Sequence, residues 1–168
     1  MLRTIIQSLA LAALTALPLA AQELAAPEGE VILTVSGEIG TTNAEGTAQF
    51  DLAMLEALGT ETVETTTIWT EGTNTFEGVS LKALAEAVGM EGATLRATAI
   101  NDYAVEIPLT DAVEGGPIVA YRMNGTEMSV RDKGPLWIIY PYDASAEYRT
   151  EVIYSRSIWQ LDRIVVTD

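Results

Sequence analysis

The chain has 168 residues, 24 Asp and Glu against 9 Lys and Arg, a formal net charge of −15, and neither Cys nor His. Those two absences remove the thiolate nucleophile, thiolate and imidazole as metal ligands, and the commonest general base. Site chemistry is left to Arg, Lys, Tyr, Asn and carboxylates. The acidity argues against nucleic acid and anionic membranes as partners, because phosphate binding needs clustered cations.

Residues 1–21 read as a secretory signal: Arg3 is the charged start, Leu9 to Leu19 the apolar stretch, and Ala20 and Ala21 the small residues before a cut ahead of Gln22. That apolar stretch is shorter than the roughly 20 residues needed to cross a bilayer. No Cys follows it for lipid attachment, and a lone Arg in place of a twin pair points to the general secretory route. The expected localisation is periplasmic or secreted, with no stable membrane insertion after cleavage. Cleavage would leave 147 residues with a net charge of −16, since only Arg3 is removed with the signal. A chain of that length buries about two thirds of its unfolded surface and needs no disulfide staples.

Residues 22–30, with Pro27 and Gly29, form an exposed lead-in, and 31–168 form the domain. Val31 to Ile39 is β-branched and opens the fold as a strand. After a polar turn at Thr41 to Thr47, Asp51 caps a helix with Leu52, Leu55 and Leu58 at helical spacing, closed by Gly59. Thr65 to Trp69 is again strand-like. Ser80 caps a second amphipathic helix carrying Leu81, Leu84, Ala85 and Val88, and Gly89 ends it. Further strands are expected at Leu95 to Ile100, Tyr103 to Leu109, Ile118 to Met123, Glu127 to Val130, Leu136 to Tyr140 and Ile158 to Val166. Asp111 to Glu114 is read as a single helical turn. Asn124-Gly125 marks a hairpin, since both residues tolerate the positive φ of a type I′ turn. The order predicts a compact, β-rich α+β domain of about eight strands with two main helices.

Charge is uneven along the chain. From Gln22 to Leu81 there are 11 acids and no base, so every base of the mature chain lies from Lys82 onward. The segment Asn101 to Asp143 holds most of the candidate chemistry. Asn101, Asp102 and Tyr103 set an amide, a carboxylate and a phenol in one loop between strands. In Arg131-Asp-Lys133-Gly134-Pro135, Gly134 permits close backbone approach while Arg131 and Lys133 offer a bidentate fork and a point charge for a phosphate or carboxylate. Tyr140 and Asp143 stand at the end of the following apolar strand, where loops carry sites. Arg156 lies in a run with Tyr154 and Trp159 that also suits cation–π packing. Each base could instead pair with a neighbouring acid, as Arg131 with Asp132 or Arg163 with Asp162. Ser155 and Ser157 have no His to activate them, and no calcium-loop ladder or phosphate-cradling Gly loop is present.

Five segments together carry a resemblance. They are Phe76-Glu-Gly-Val-Ser-Leu-Lys-Ala-Leu84, Asn101-Asp-Tyr103 with Ile107-Pro-Leu109, Met123-Asn-Gly125, Lys133-Gly-Pro-Leu-Trp137 with Tyr140-Pro141, and Trp159-Gln-Leu-Asp-Arg-Ile164. Their order and spacing resemble the oxidoreductase molybdopterin-binding domain, the fold of sulfite oxidase, and most closely its small stand-alone exported bacterial members. The resemblance spans roughly Val31 to Val166. It implies a β-rich α+β fold and a pocket that, in catalytic members, holds molybdenum through a pterin dithiolene and one protein Cys. The counterpart of that Cys falls near Thr65 to Thr67 or Trp69, and the His residues that help bind the pterin are missing too. A hydroxyl is a poor substitute for thiolate at a soft metal. The expectation is therefore an exported relative without molybdopterin or metal, not catalytic, that binds a small anionic ligand or a partner protein. Its site would draw on Asn101, Asp102, Tyr103, Arg131, Lys133, Tyr140, Asp143 and Arg156. The alternatives are a molybdopterin-dependent oxidoreductase with a non-Cys metal environment, and a periplasmic partner of a membrane sensor.

Overall fold

A computed structural model describes residues 24–168; the signal reading at 1–21 lies outside the described residues. Ten strands and three α-helices occur among the described residues. They are β1 (Leu33–Gly37), β2 (Thr47–Phe50), α1 (Leu52–Ala57), β3 (Glu61–Thr66), β4 (Thr73–Ser80), α2 (Leu81–Val88), β5 (Thr94–Ala99), β6 (Ala104–Pro108), β7 (Ile118–Met123), β8 (Thr126–Glu127), β9 (Leu136–Ile139), α3 (Glu151–Arg156) and β10 (Trp159–Thr167). Short 3₁₀ turns occupy Leu109–Asp111 and Ala146–Tyr148. The α+β class holds, with more and shorter elements than the hydrophobic pattern predicts.

All the strands join one hydrogen-bonded sheet, whose main path runs β2-β1-β10-β9-β7-β4-β3. β10 is its hub, because its nine residues serve several partners in turn. Trp159 and Leu161 pair with β9, and the later residues pair antiparallel with β5 and parallel with β1. The first and last strands of the domain are thus zipped together, Val35 opposite Ile164. β7 and β9 lie centrally, and Ile118 to Tyr121 and Leu136 to Ile139 are buried on both faces, which explains their unbroken apolar runs. β1 alternates instead, with Leu33 and Val35 inward.

The helix caps form as the sequence dictates. Asp51 Oδ1 accepts from Met54 N at 2.9 Å and opens α1, while Ser80 Oγ accepts from Ala83 N at 3.1 Å and opens α2. Leu81, Leu84 and Val88 turn inward from α2, and Gly89 closes it in the left-handed region at φ 61°. The lead-in is held down as well, since Glu28 N and Gly29 N donate to the second oxygen of Asp51. Asn124 and Gly125 take φ 52° and 77° and close the β7–β8 hairpin as expected.

Elsewhere the boundaries differ. β3 ends at Thr66, and Thr67 to Thr70 turn away because Thr67 Oγ1 accepts from Trp69 N and Thr70 N. The strand expected at Glu127 to Val130 stops at Glu127, where Asp132 N and Gly134 N both turn back to Ser129 O. The helical turn expected at Asp111 to Glu114 sits at Leu109–Asp111. β4 has a polar inward face that hydrophobic spacing misses. Its buried Asn74 donates to Thr70 Oγ1 and the Glu71 carbonyl and accepts from Asn124 Nδ2, so burial leaves no polar atom unpaired. α3 also escaped the sequence reading; Thr150 Oγ1 caps it by accepting from Ile153 N.

Candidate functional site

The turn after β3 organises the site. Asp143 reaches across from the end of the β9 segment and accepts from Thr66 N at 2.6 Å and Thr66 Oγ1 at 2.9 Å, while Asp143 N donates to Thr65 Oγ1. Those Thr66 bonds hold the Asp143 carboxyl below the usual carboxylate range. The clasp, with the Thr67 turn behind it, presents the half-buried indole of Trp69. That indole meets Trp137, Tyr142, Tyr154 and Trp159 edge-on, with centroids 5.8, 6.3, 5.7 and 5.8 Å away. Offset and edge contacts of this kind are the favoured aromatic geometry. Behind them, Trp137 Nε1 donates to Ser157 O, and the Tyr142 hydroxyl bonds to Ser157 Oγ at 2.6 Å; burial pushes the Tyr142 phenol up to about 12.

In front of the cluster opens a cavity of about 330 Å³, walled by Trp69, Tyr103, Tyr154 and Trp159, with Asn101, Ser155 and Gln160 supplying polar groups. Trp159 and Gln160 are consecutive, and a regular strand would send them to opposite faces. Gln160 takes φ 51°, a left-handed conformation that interrupts β10 and lets both residues line the same cavity. Three bonds hold it there: Gln160 N donates to Lys133 O, Gln160 O accepts from Ile100 N, and Nε2 donates to Val130 O. The Asn101 turn and the basic loop are thereby fastened to one residue. Gly134 is needed in that loop, because a Cβ there would stand 1.8 Å from Met128 O.

The eight sequence-predicted site residues separate into groups. Asn101 and Tyr103 line the cavity, with Tyr103 60% exposed. Lys133 lies just outside the wall, its Nζ 4.2 Å from the Trp159 ring centroid and 5.2 Å from that of Trp137. Arg131 is exposed on the same loop. Asp102 sits at φ 67° and pairs with Arg163, which also grips Asp162. Asp143 clasps the turn. Tyr140 and Arg156 are brought together away from the cavity wall: the buried Tyr140 hydroxyl donates to Asp111 Oδ2 at 2.7 Å, and Arg156 Nη1 donates to the same oxygen at 2.9 Å. Burial, with that bond second, pushes the Tyr140 phenol far above its ordinary range. Trp69, Tyr154, Trp159 and Gln160 are among the wall residues that the sequence reading did not include. Aromatic enrichment was the only signal for the first three, and nothing in the pattern marks the left-handed Gln160.

The family model described as the oxidoreductase molybdopterin binding domain matches residues 41–148. No curated protein matches the chain. The match takes in Trp69, Asn101, Tyr103 and Lys133 but ends before Tyr154, Trp159 and Gln160, so one side of the cavity lies beyond it. The family binds molybdopterin, and the residues here can be tested against a metal held by thiolate. Where the resemblance places the Cys stand Thr65, Thr66 and Thr67, and all their hydroxyls are engaged, with Thr66 O, Asp143 and the 67–70 turn. The next side chain into the space is an indole. No group of three or more Asp or Glu that could hold a metal occurs among the described residues. This donor set does not fit a soft metal centre.

Proposed function

The chain belongs to the oxidoreductase molybdopterin-binding domain family, and from that premise we propose that it is an exported, cofactor-free member that uses the Trp69–Trp159 cavity to bind a small anionic ligand. The observation that carries this reading is Lys133. In a chain with 24 acids, Lys82, Arg122, Arg156 and Arg163 all have carboxylate partners. Arg96, Arg131, Arg149 and Lys133 make no ion pair among the described residues, and of these four Lys133 is the one that rests on the indole of a wall residue. An ammonium on an aromatic face keeps its charge available to an incoming anion.

Catalysis is not part of this reading, since the hydroxyls nearest the expected metal position are tied up and Ser155 Oγ donates to Val152 O with no base beside it. Export, to the periplasm or outside the cell, is supported by the signal-like composition of residues 1–21. The test is molybdenum and pterin content of the protein isolated from its exported location, together with native mass spectrometry. The expected result is no molybdenum and a small acidic adduct that Lys133→Gln loses. Near-stoichiometric molybdenum overturns the proposal and makes the chain an oxidoreductase with a non-Cys metal environment.

A further inference from the structure

We propose that the ligand is an amphipathic aromatic anion, with its flat apolar body against Trp69, Tyr103, Tyr154 and Trp159 and its acidic group directed to Lys133. The proposal rests on the reading above and adds the chemical class. Its first support is the wall, in which no residue carries a charge and the polar groups are neutral amides and hydroxyls. A compact, strongly hydrated anion such as phosphate or sulfate would surrender its water to rings and amides, which is unfavourable without charged donors. An aromatic body exchanges water for ring faces and edges instead.

The second support is the exposed apolar side chains on the segments that carry or hold the wall residues. Large hydrophobic side chains are exposed at few places in this molecule, and most fall on the segments that build the wall. Ile68 (62% exposed) precedes Trp69, Ile100 (45%) precedes Asn101, and Val152 (57%) lies one turn before Ser155 on α3. Val130 (52%) carries the carbonyl that accepts from Gln160. Apolar side chains left exposed on these segments are more compatible with an apolar ligand body nearby than with a hydrated ion. A cavity of about 470 Å³ beside α1 is different, since Glu28, Glu30, Asp51 and Glu127 line it and would repel an anion.

The experiment is calorimetric titration of the exported protein with 2-naphthoate, 2-naphthamide and octanoate, repeated on Lys133→Gln and Tyr103→Ala. Tyr103 and Lys133 are at or near the surface, and urea unfolding of each variant checks that the fold is intact. 2-Naphthoate should bind about tenfold tighter than 2-naphthamide, as expected for one charge-assisted contact, and about tenfold tighter than octanoate, which keeps the charge and lacks the ring contacts. Lys133→Gln should abolish its advantage over 2-naphthamide and leave the naphthamide Kd unchanged, and Tyr103→Ala should weaken both aromatic probes severalfold. Octanoate binding as tightly as 2-naphthoate would overturn the aromatic class while leaving the anion-binding reading standing. Equal binding of naphthoate and naphthamide, an unchanged naphthoate Kd in Lys133→Gln, or no binding of any probe would overturn both.

Discussion

Replacing Asp111 by alanine removes one carboxylate oxygen that serves two donors, Tyr140 Oη at 2.7 Å and Arg156 Nη1 at 2.9 Å. The site is partly shielded from solvent, with the Arg156 and Asp111 side chains 22% and 17% exposed and Tyr140 fully buried. A hydrogen bond to a charged group contributes about 1.5–3 kcal/mol, and a buried hydroxyl left without an acceptor costs about 1–3 kcal/mol. Stranding a buried cation costs about 3–5 kcal/mol, less when water reaches it, as it does here. These effects overlap, so we expect a net loss of about 3 kcal/mol, from the low end of each range. For a domain of this size that lowers Tm by about 6–12 °C and the urea midpoint by about 1.5 M. Tyr140→Phe placed on Asp111→Ala should return about 1 kcal/mol, because no hydroxyl is then left unpaired. Arg156→Met should lower stability yet leave the 2-naphthoate Kd within about twofold, as expected for a cation committed to an internal pair. A loss below about 1 kcal/mol for Asp111→Ala would refute the reasoning. So would an Arg156→Met protein of unchanged stability that no longer binds ligand.

The Asp51 carboxyl accepts backbone N–H bonds from Gly29, Met54 and Glu28, which hold it below its ordinary value of 3.8. Its stabilisation is therefore complete above that value and is lost as pH falls through the lower folded value. Asp51→Asn, which keeps a competent helix cap, should flatten the fall in urea midpoint between about pH 5 and pH 2; an unaltered acid limb counts against the assignment. Gly134→Ala forces a Cβ to within 1.8 Å of Met128 O and should cost about 2 kcal/mol or more, with 2-naphthoate binding weakened because Lys133 moves. Wild-type stability in that variant would show that the loop does not need its close approach. Trp69→Ala removes four edge-on ring contacts and should destabilise by about 3 kcal/mol. Trp69→Phe should recover part of that loss, measured by the same unfolding curves.

Helices α1 and α2 were legible because their information is local. Asp51 and Ser80 cap their own next turn, and the Leu spacing names the inward face within a few residues. β7 and β9 were legible because strands buried on both faces are apolar throughout. β4 was not, since its inward Asn74 is satisfied by Thr70, Glu71 and Asn124, partners that hydrophobic period does not weigh. α3 was missed because its Val, Ile and Tyr favour strands, and the Thr150 cap and its packing override that propensity.

The candidate site shows the same division. Sequence by itself determined the inventory: no thiolate or imidazole, a cationic loop around Gly134, and aromatics in the later part of the chain. It also carried the family, through motifs spread over most of the domain. Only the tertiary structure decided which of these residues meet. Arg156 and Lys133 look equivalent as sequence, yet one is bound to Asp111, 45 residues away, and the other rests on Trp159. Asp143 reads as a ligand contact, and its carboxylate clasps Thr66, 77 residues distant. Such assignments depend on long-range pairing across β10, and in particular on one left-handed residue, Gln160, that turns its neighbour's indole and its own amide into the same cavity. Residue type sets what a side chain can do, whereas its partner is fixed by the sheet that brings distant segments within hydrogen-bonding reach.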